Sequence, residues 1–293
     1  MTIITEQRNP NTIDIDLMSS VEIARTINKE DQKVAFAVEK ELTLIGQGID
    51  LIANAFLKGG RVAYFGAGTS GRIGILDASE CVPTFSVDEN MVQAYIAGGN
   101  KALRYSIENA EDSAELALKD LENFVPTNKD VVVGISASGN PEYVLTALRE
   151  ARGKGAKTIG ITSNPEALFA KFCDVLICVH VGQEALTGSS RMKSGTAQKM
   201  ILNMLSTGAM IKIGKTYQNY MIDVKISNEK LYERGCRFIS EICNVDAQEA
   251  SKLLNESGLS VKTACVMKLK KCTCQEAQKM LSSVNGVLRK VID

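Results

Sequence analysis

Apolar positions follow two rhythms along the chain. In the first part Val34, Val38, Leu42, Ile45, Ile49, Ile52 and Phe56 recur at steps of three and four, one stripe of a long amphipathic helix. Ser19-Ser20-Val21-Glu22 upstream has capping-box spacing, and Gly59-Gly60 supplies a stop. From residue 61 short apolar runs replace the stripe. Residues 61–65, 92–96, 130–135, 157–162 and 174–181 each read as a strand. Helical stretches separate them: one running towards Cys81 and ending before Pro83, one over 102–124, one through Arg149. Strands alternating with helices predict an α/β fold, a five-stranded parallel sheet flanked by helices on both faces.

A further long helix carries Met200, Leu202, Leu205 and Met210. Beyond about residue 240 the pattern is helical only, with segments at 246–257 and 275–284 and no strand signal. The expected division is therefore an N-terminal helical segment (1–50), the sheet domain (51–215) and a small C-terminal helical appendage (216–293).

Charge and composition narrow the function. The 293 residues include 34 basic and 34 acidic side chains, so no basic field exists to attract nucleic acid or an anionic membrane. The first residues lack a signal-peptide pattern, and no apolar run reaches the roughly 18 residues that span a bilayer. A cytoplasmic protein is expected. Eight cysteines form no C-x-x-C pair, and there is one histidine, so neither a disulfide nor a metal is expected. His180 sits in a β-like run and reads as a strand residue rather than a base.

The chemistry lies in the loops. Gly66-Ala67-Gly68-Thr69-Ser70-Gly71 and Ser136-Ala137-Ser138-Gly139-Asn140 each follow a strand and open into a helix. Unpaired N–H groups at a helix start favour an anion, and glycine lets the backbone approach it. Thr69, Ser70, Ser136 and Ser138 add hydroxyl donors, and a third hydroxyl-rich stretch runs over 187–190. The first loop also satisfies G-x-G-x-x-G. However, Asp88 and Glu89 precede the second strand instead of ending it, which argues against a dinucleotide. A P-loop fails too, because Gly208 lies one residue too far from Gly214-Lys215-Thr216. A sugar phosphate without a cofactor is the expected ligand.

The order of these motifs resembles the sugar-isomerase (SIS) domain family. Three longer stretches are similar to the N-acetylmuramic acid 6-phosphate etherases within it. They run from Gly66 through Arg72 and Glu80 to Cys81, over Ala110-Glu111-Asp112-Ser113, and from Thr187 through Lys193 to Lys199. The resemblance implies cleavage of a D-lactyl ether, a homodimer with its active site near the subunit interface, no metal, and Glu80 and Glu111 as acid–base residues. Phosphate and substrate contacts are expected from Gly68, Thr69, Ser70, Ser136, Ser138, Gly139, Asn140, Ser189, Ser190, Arg191 and Lys193. One departure is Pro141, where many SIS isomerases place a threonine.

The small and apolar neighbours of Glu80 suit the acid, and the polar surroundings of Glu111 suit the base. A helix from Ser70 would carry Glu80 about 15 Å along its axis, longer than a hexose phosphate, so one glutamate is expected to serve a neighbouring subunit. Two rivals share the fold: a non-catalytic sugar-phosphate regulator, as glucokinase regulatory protein is, and an aldose–ketose isomerase. Room for only one SIS domain and retention of both glutamates favour the lyase over the regulator.

Overall fold

A computed structural model describes residues 4–293. Its centre is a five-stranded sheet of β1 (Val62–Gly66), β2 (Val92–Ile96), β3 (Val131–Ile135), β4 (Lys157–Thr162) and β5 (Val175–Cys178), every pairing parallel, in the order β2-β1-β3-β4-β5. Every residue of β1 and β3 is buried. This is why these strands read as continuous apolar runs instead of alternating ones. The chain moves from β1 outward to β2 and returns to β3 on the other side of β1. The strand order therefore reverses between β1 and β3, and Gly66 stands opposite Ile135 at their carboxyl ends. That reversal leaves a crevice where ligands bind in open α/β sheets.

Seen in chain order, the helices around the sheet are α1 (Ser20–Glu39), α2 (Leu42–Leu57), α3 (Gly68–Phe85), α4 (Ala114–Phe124), α5 (Glu142–Gly153) and α6 (Lys193–Lys212). α4 and α5 cover one face through a core of Phe65, Leu121, Phe124, Tyr143, Leu148 and Phe169. Phe65 stacks on Tyr95 with ring centroids 4.9 Å apart. α2 packs on β3 and β5 from the other side, and Leu205 of α6 meets it at Gly48.

Four expected elements differ. The N-terminal stripe is carried by two helices, because Lys40 and Glu41 turn the chain between α1 and α2. Val34, Val38, Ile45, Ile52 and Phe56 of that stripe are buried, whereas Ile49 is half-buried and Leu42, at the turn, is exposed. α3 runs through Pro83 to Phe85, since a proline in the last turn forfeits a single amide donor. The expected helix over 102–124 starts only at Ala114. Residues 104–113 are almost wholly polar, Asn109 takes a positive φ of 58°, and Ser113 restarts the helix by accepting the Leu116 amide. The fifth strand stops at Cys178, so His180 lies beyond it and is exposed.

The chain forms two compact units. One comprises the chain up to Ser79 with Glu89–Ser206, so the N-terminal helices belong with the sheet; the other comprises Glu80–Asp88 with Thr207–Asp293. The second holds α7 (Glu229–Cys243), α8 (Ala247–Glu256), α9 (Val261–Lys270), α10 (Cys274–Ser283) and α11 (Arg289–Ile292) around Ile239, Leu254, Ala264 and Cys265. Side chains of Asn228, Asp246, Ser260 and Thr273 cap the first four of these. α8 and α10 fall where the apolar pattern places them. None of the described helices is long and apolar enough to cross a membrane.

Candidate active site

A cavity of about 340 Å³ opens at the carboxyl ends of β1 and β3. Ala67, Gly68, Thr69 and Ser70 line it from one loop, and Ile135, Ser136, Ala137, Ser138 and Pro141 from the other. Ser190, Glu111 and Glu6 complete the lining. Its size suits a small ligand such as a hexose phosphate.

The first loop presents the beginning of a helix. Gly68, Thr69 and Ser70 are the opening residues of α3, whose first amides have no acceptor within the helix. Together with the helix dipole they make a place for an anion. Gly68 has a φ of +51° and no atom lies within 4 Å of where its Cβ would stand, so its backbone faces open space. A side chain there would project into that space.

The second loop is braced from behind. Ser136 Oγ accepts the Gly139 amide at 3.0 Å, and Ser138 Oγ lies 3.4 Å from Ser136 Oγ. Thr162 Oγ1 donates to the Ala137 carbonyl at 3.1 Å, the Ser163 amide donates to the same oxygen, and Asn164 Nδ2 donates to Ser138 O at 2.8 Å. The Thr-Ser-Asn-Pro run that begins at the last residue of β4 thus holds the loop in place. Gly139 has a φ of +73°, and a Cβ there would stand 2.2 Å from Ala167 Cβ. Neither Gly139 nor Asn140 lines the cavity; Asn140 Oδ1 accepts the Leu168 amide instead.

Glu111 is exposed and reaches the cavity from the segment before α4. That segment is pinned at both ends. Its carbonyl accepts the Tyr143 amide at 3.0 Å, while Arg72 donates from Nη2 to Ala102 O at 2.8 Å and from Nε to Leu103 O at 3.1 Å. Arg72, next after the first glycine motif, therefore caps a 3₁₀ turn and is not among the residues lining the cavity.

Glu80 is placed differently. It lies three turns into α3 on the face away from the buried Gly74, Asp77, Ala78 and Cys81, and its side chain is exposed and outside the cavity lining. The single chain does not enclose it in the apolar surroundings expected from its sequence neighbours. Arg191 is exposed and Ser189 half-buried, both outside the lining.

Lys193 is 1 % exposed, and its ammonium pairs with Glu30 Oε2 at 2.8 Å, so it is spent on the fold and not on an anion in the cavity. The start of α6 is likewise occupied. The buried carboxylate of Glu184 accepts the Lys193 amide at 2.9 Å and the Ser194 amide at 3.0 Å. Sequence reasoning missed Glu184 and Glu6. Neither belongs to a periodic or glycine-rich motif, so no local signal marks them.

Electrostatically the cavity is simple. Its only charged lining residues are Glu6 and Glu111, and no lysine or arginine side chain reaches it among the described residues. An anion there would therefore meet amides and hydroxyls instead of a basic side chain.

The reversed parallel sheet and the two hydroxyl loops at its switch point define a sugar-phosphate-binding domain of the SIS class. Family profiles agree: the SIS domain matches residues 107–208, the N-terminal SIS domain of glucokinase regulatory protein 44–152, and that protein's C-terminal lid domain 218–263. Among solved structures, phosphoheptose isomerase from Francisella tularensis is similar over 66 % of this chain and all of its own, with a TM-score of 0.51 at 16 % identity. The fold alone is shared there.

The chain belongs to the N-acetylmuramic acid 6-phosphate etherase family. It is 49 % identical to the etherase of Colwellia psychrerythraea, over 99 % of this chain and 94 % of that one. It is also 49 % identical to the etherase of Caldanaerobacter subterraneus, over 99 % and 95 %, and 47 % identical to that of Pasteurella multocida, over 99 % and 96 %.

Proposed function

We propose that the cavity between the β1 and β3 loops binds the phosphate of N-acetylmuramic acid 6-phosphate, and that Glu111 and Glu80 carry the proton transfers of ether cleavage. The protein is a carbon–oxygen lyase. It cleaves the D-lactyl ether by elimination followed by hydration, giving N-acetylglucosamine 6-phosphate and D-lactate. The observation that carries the site assignment is the presence of the Glu111 carboxylate in the same cavity as the opening residues of α3 and the Ser136–Ser138 hydroxyls.

The chemistry follows from the ligand's length. With the phosphate on the loops, the reacting carbons lie away from it in the same cavity that Glu111 lines. In the open-chain sugar the C1 aldehyde acidifies the C2 hydrogen, and Glu111 as carboxylate removes it. The electron pair forms the C2–C3 double bond as the C3–oxygen bond breaks. The departing lactate oxygen takes its proton from Glu80 as acid. Water then adds at C3 and its proton returns to C2, so one water is consumed overall. A positioned acid and a positioned base each contribute on the order of 10²- to 10⁴-fold.

Because Glu80 lies outside its own chain's cavity, it acts in this scheme from the second protomer of a homodimer. Unspent apolar surface supports such pairing: Leu17 is 81 % exposed, Phe36 68 % and Val21 59 % on the N-terminal helical segment. The eight cysteines are all free thiols, which suits a reducing, cytoplasmic setting.

The direct test is incubation with N-acetylmuramic acid 6-phosphate and assay of free D-lactate and N-acetylglucosamine 6-phosphate in equal amounts. Tight binding of the sugar phosphate with no lactate released would remove the catalytic assignment and leave a binding protein.

A further inference from the structure

Glu6 belongs to neither hydroxyl loop, yet it lines the cavity together with Glu111 and Ser190. Its place is held by the chain that follows. Asn9, 3 % exposed, donates from Nδ2 to the Gln183 carbonyl at 3.1 Å and accepts the Asn11 amide at 2.9 Å, while Asn11 donates to Glu30. The N-terminal segment is thus moored beside the stretch that leads to Ser190. Glu6 Oε2 lies so close above Gly188 that a Cβ at that glycine would stand 3.1 Å from it.

An ionised carboxylate only accepts hydrogen bonds. Of the groups on an N-acetylated sugar phosphate, the phosphate offers mainly acceptors, and so does the lactyl carboxylate; both repel Glu6. The remaining donors are the ring or chain hydroxyls and the acetamide N–H. We infer that Glu6 touches substrate and accepts a hydrogen bond from these neutral donors, orienting the amino sugar after the loops have taken its phosphate. The inference rests on the sugar-phosphate reading above and adds to it a specificity residue supplied by the N-terminal segment.

Two ligands separate this role from a structural one. Calorimetric titration of wild type, Glu6→Ala and Glu6→Gln is run with N-acetylglucosamine 6-phosphate and with inorganic phosphate. Glu6→Ala weakens the amino-sugar phosphate by at least about tenfold, the value of one charge-assisted hydrogen bond. It leaves inorganic phosphate unchanged or bound more tightly, because a like charge has gone. Glu6→Gln, which keeps an acceptor oxygen, falls between. With N-acetylmuramic acid 6-phosphate as substrate the loss appears in KM, not in kcat. Equal amino-sugar affinity in wild type and Glu6→Ala would overturn the role, as would a parallel loss for both ligands. A wild type that binds no sugar phosphate at all would remove the site assignment together with it, and is told apart by that control.

Discussion

Lys193 and Glu30, 163 residues apart in sequence, form an ion pair of 2.8 Å with both side chains almost wholly excluded from solvent. The pair ties α1 to the start of α6, where Glu184 already holds the first two amides. Removing one partner strands the other charge in the interior. Lys193→Met is therefore expected to cost about 3–5 kcal/mol in urea unfolding, and Glu30→Gln a similar amount. The double replacement costs less than either single change plus the other, because neither charge is then left alone.

The same pair sets an acid limit. Burial alone would raise the Glu30 carboxyl, but hydrogen bonds from Lys193, Lys33, Asn9 and Asn11 outweigh it and hold the group down at about 2, against an ordinary 4.5. Below 4.5 the unfolded chain takes up a proton that the native state refuses. The stabilisation is thus complete above 4.5 and is lost as the pH falls towards 2. Acid unfolding followed by circular dichroism should show a shallower loss across that window in Glu30→Gln than in wild type. Parallel curves would mean that Glu30 does not set the limit.

The centre of the sheet was legible because β1 and β3 are buried on both faces, and such strands announce themselves as unbroken apolar runs: Val131, Val132 and Val133 are a case. The hydroxyl loops were legible for a related reason, since glycine and serine between a strand and a helix leave a local mark. Glu111 and Glu80 came from resemblance alone; one acidic side chain on a polar stretch looks like another. Glu6, Glu184 and the capping role of Arg72 were invisible because each depends on a contact across the fold. Lys193 misled for the same reason: its partner, Glu30, lies on a distant helix.

The second loop offers a graded test. Ser138→Ala removes one hydroxyl from the cavity and leaves the backbone brace from Asn164 in place. A hydrogen bond to a charged group is worth about 1.5–3 kcal/mol, so KM should rise on the order of tenfold or more while kcat holds. Gly139→Ala acts on the backbone. Its Cβ collides with Ala167, so both thermal stability and sugar-phosphate binding fall. A Ser138→Ala enzyme with unchanged KM would place the phosphate elsewhere.

Arg72 supplies a different signature. Its guanidinium holds the carbonyls of Ala102, Leu103 and Tyr105, at the start of the segment that carries Glu111. Arg72→Met leaves the hydroxyls of both loops in place and loosens Glu111, the proposed base. The expected result is a fall in kcat of about 10-fold or more with a smaller change in KM, since a misplaced base loses its transition-state advantage. Arg72→Lys, lacking the fork that spans several carbonyls, should recover only part of it. A pure rise in KM would show that Arg72 serves the phosphate instead.

The division of labour proposed for Glu80 and Glu111 can be read without a ligand-bound structure. The Glu80→Gln and Glu111→Gln proteins should each lose about 10²- to 10⁴-fold in kcat. When the two variants are unfolded together and refolded as a mixture, hybrid dimers form. If Glu80 reaches across, each hybrid has one cavity with both mutations, while its other cavity pairs an intact Glu111 from one protomer with an intact Glu80 from the partner. Random pairing then restores about a quarter of wild-type sites, since half the dimers are hybrids and half of their cavities are whole. If instead both glutamates serve the cavity of their own chain, no arrangement of the two variants contains a complete site. The mixture then stays as inactive as its parents, which would require α3 to bring Glu80 to its own cavity by a movement of the helix.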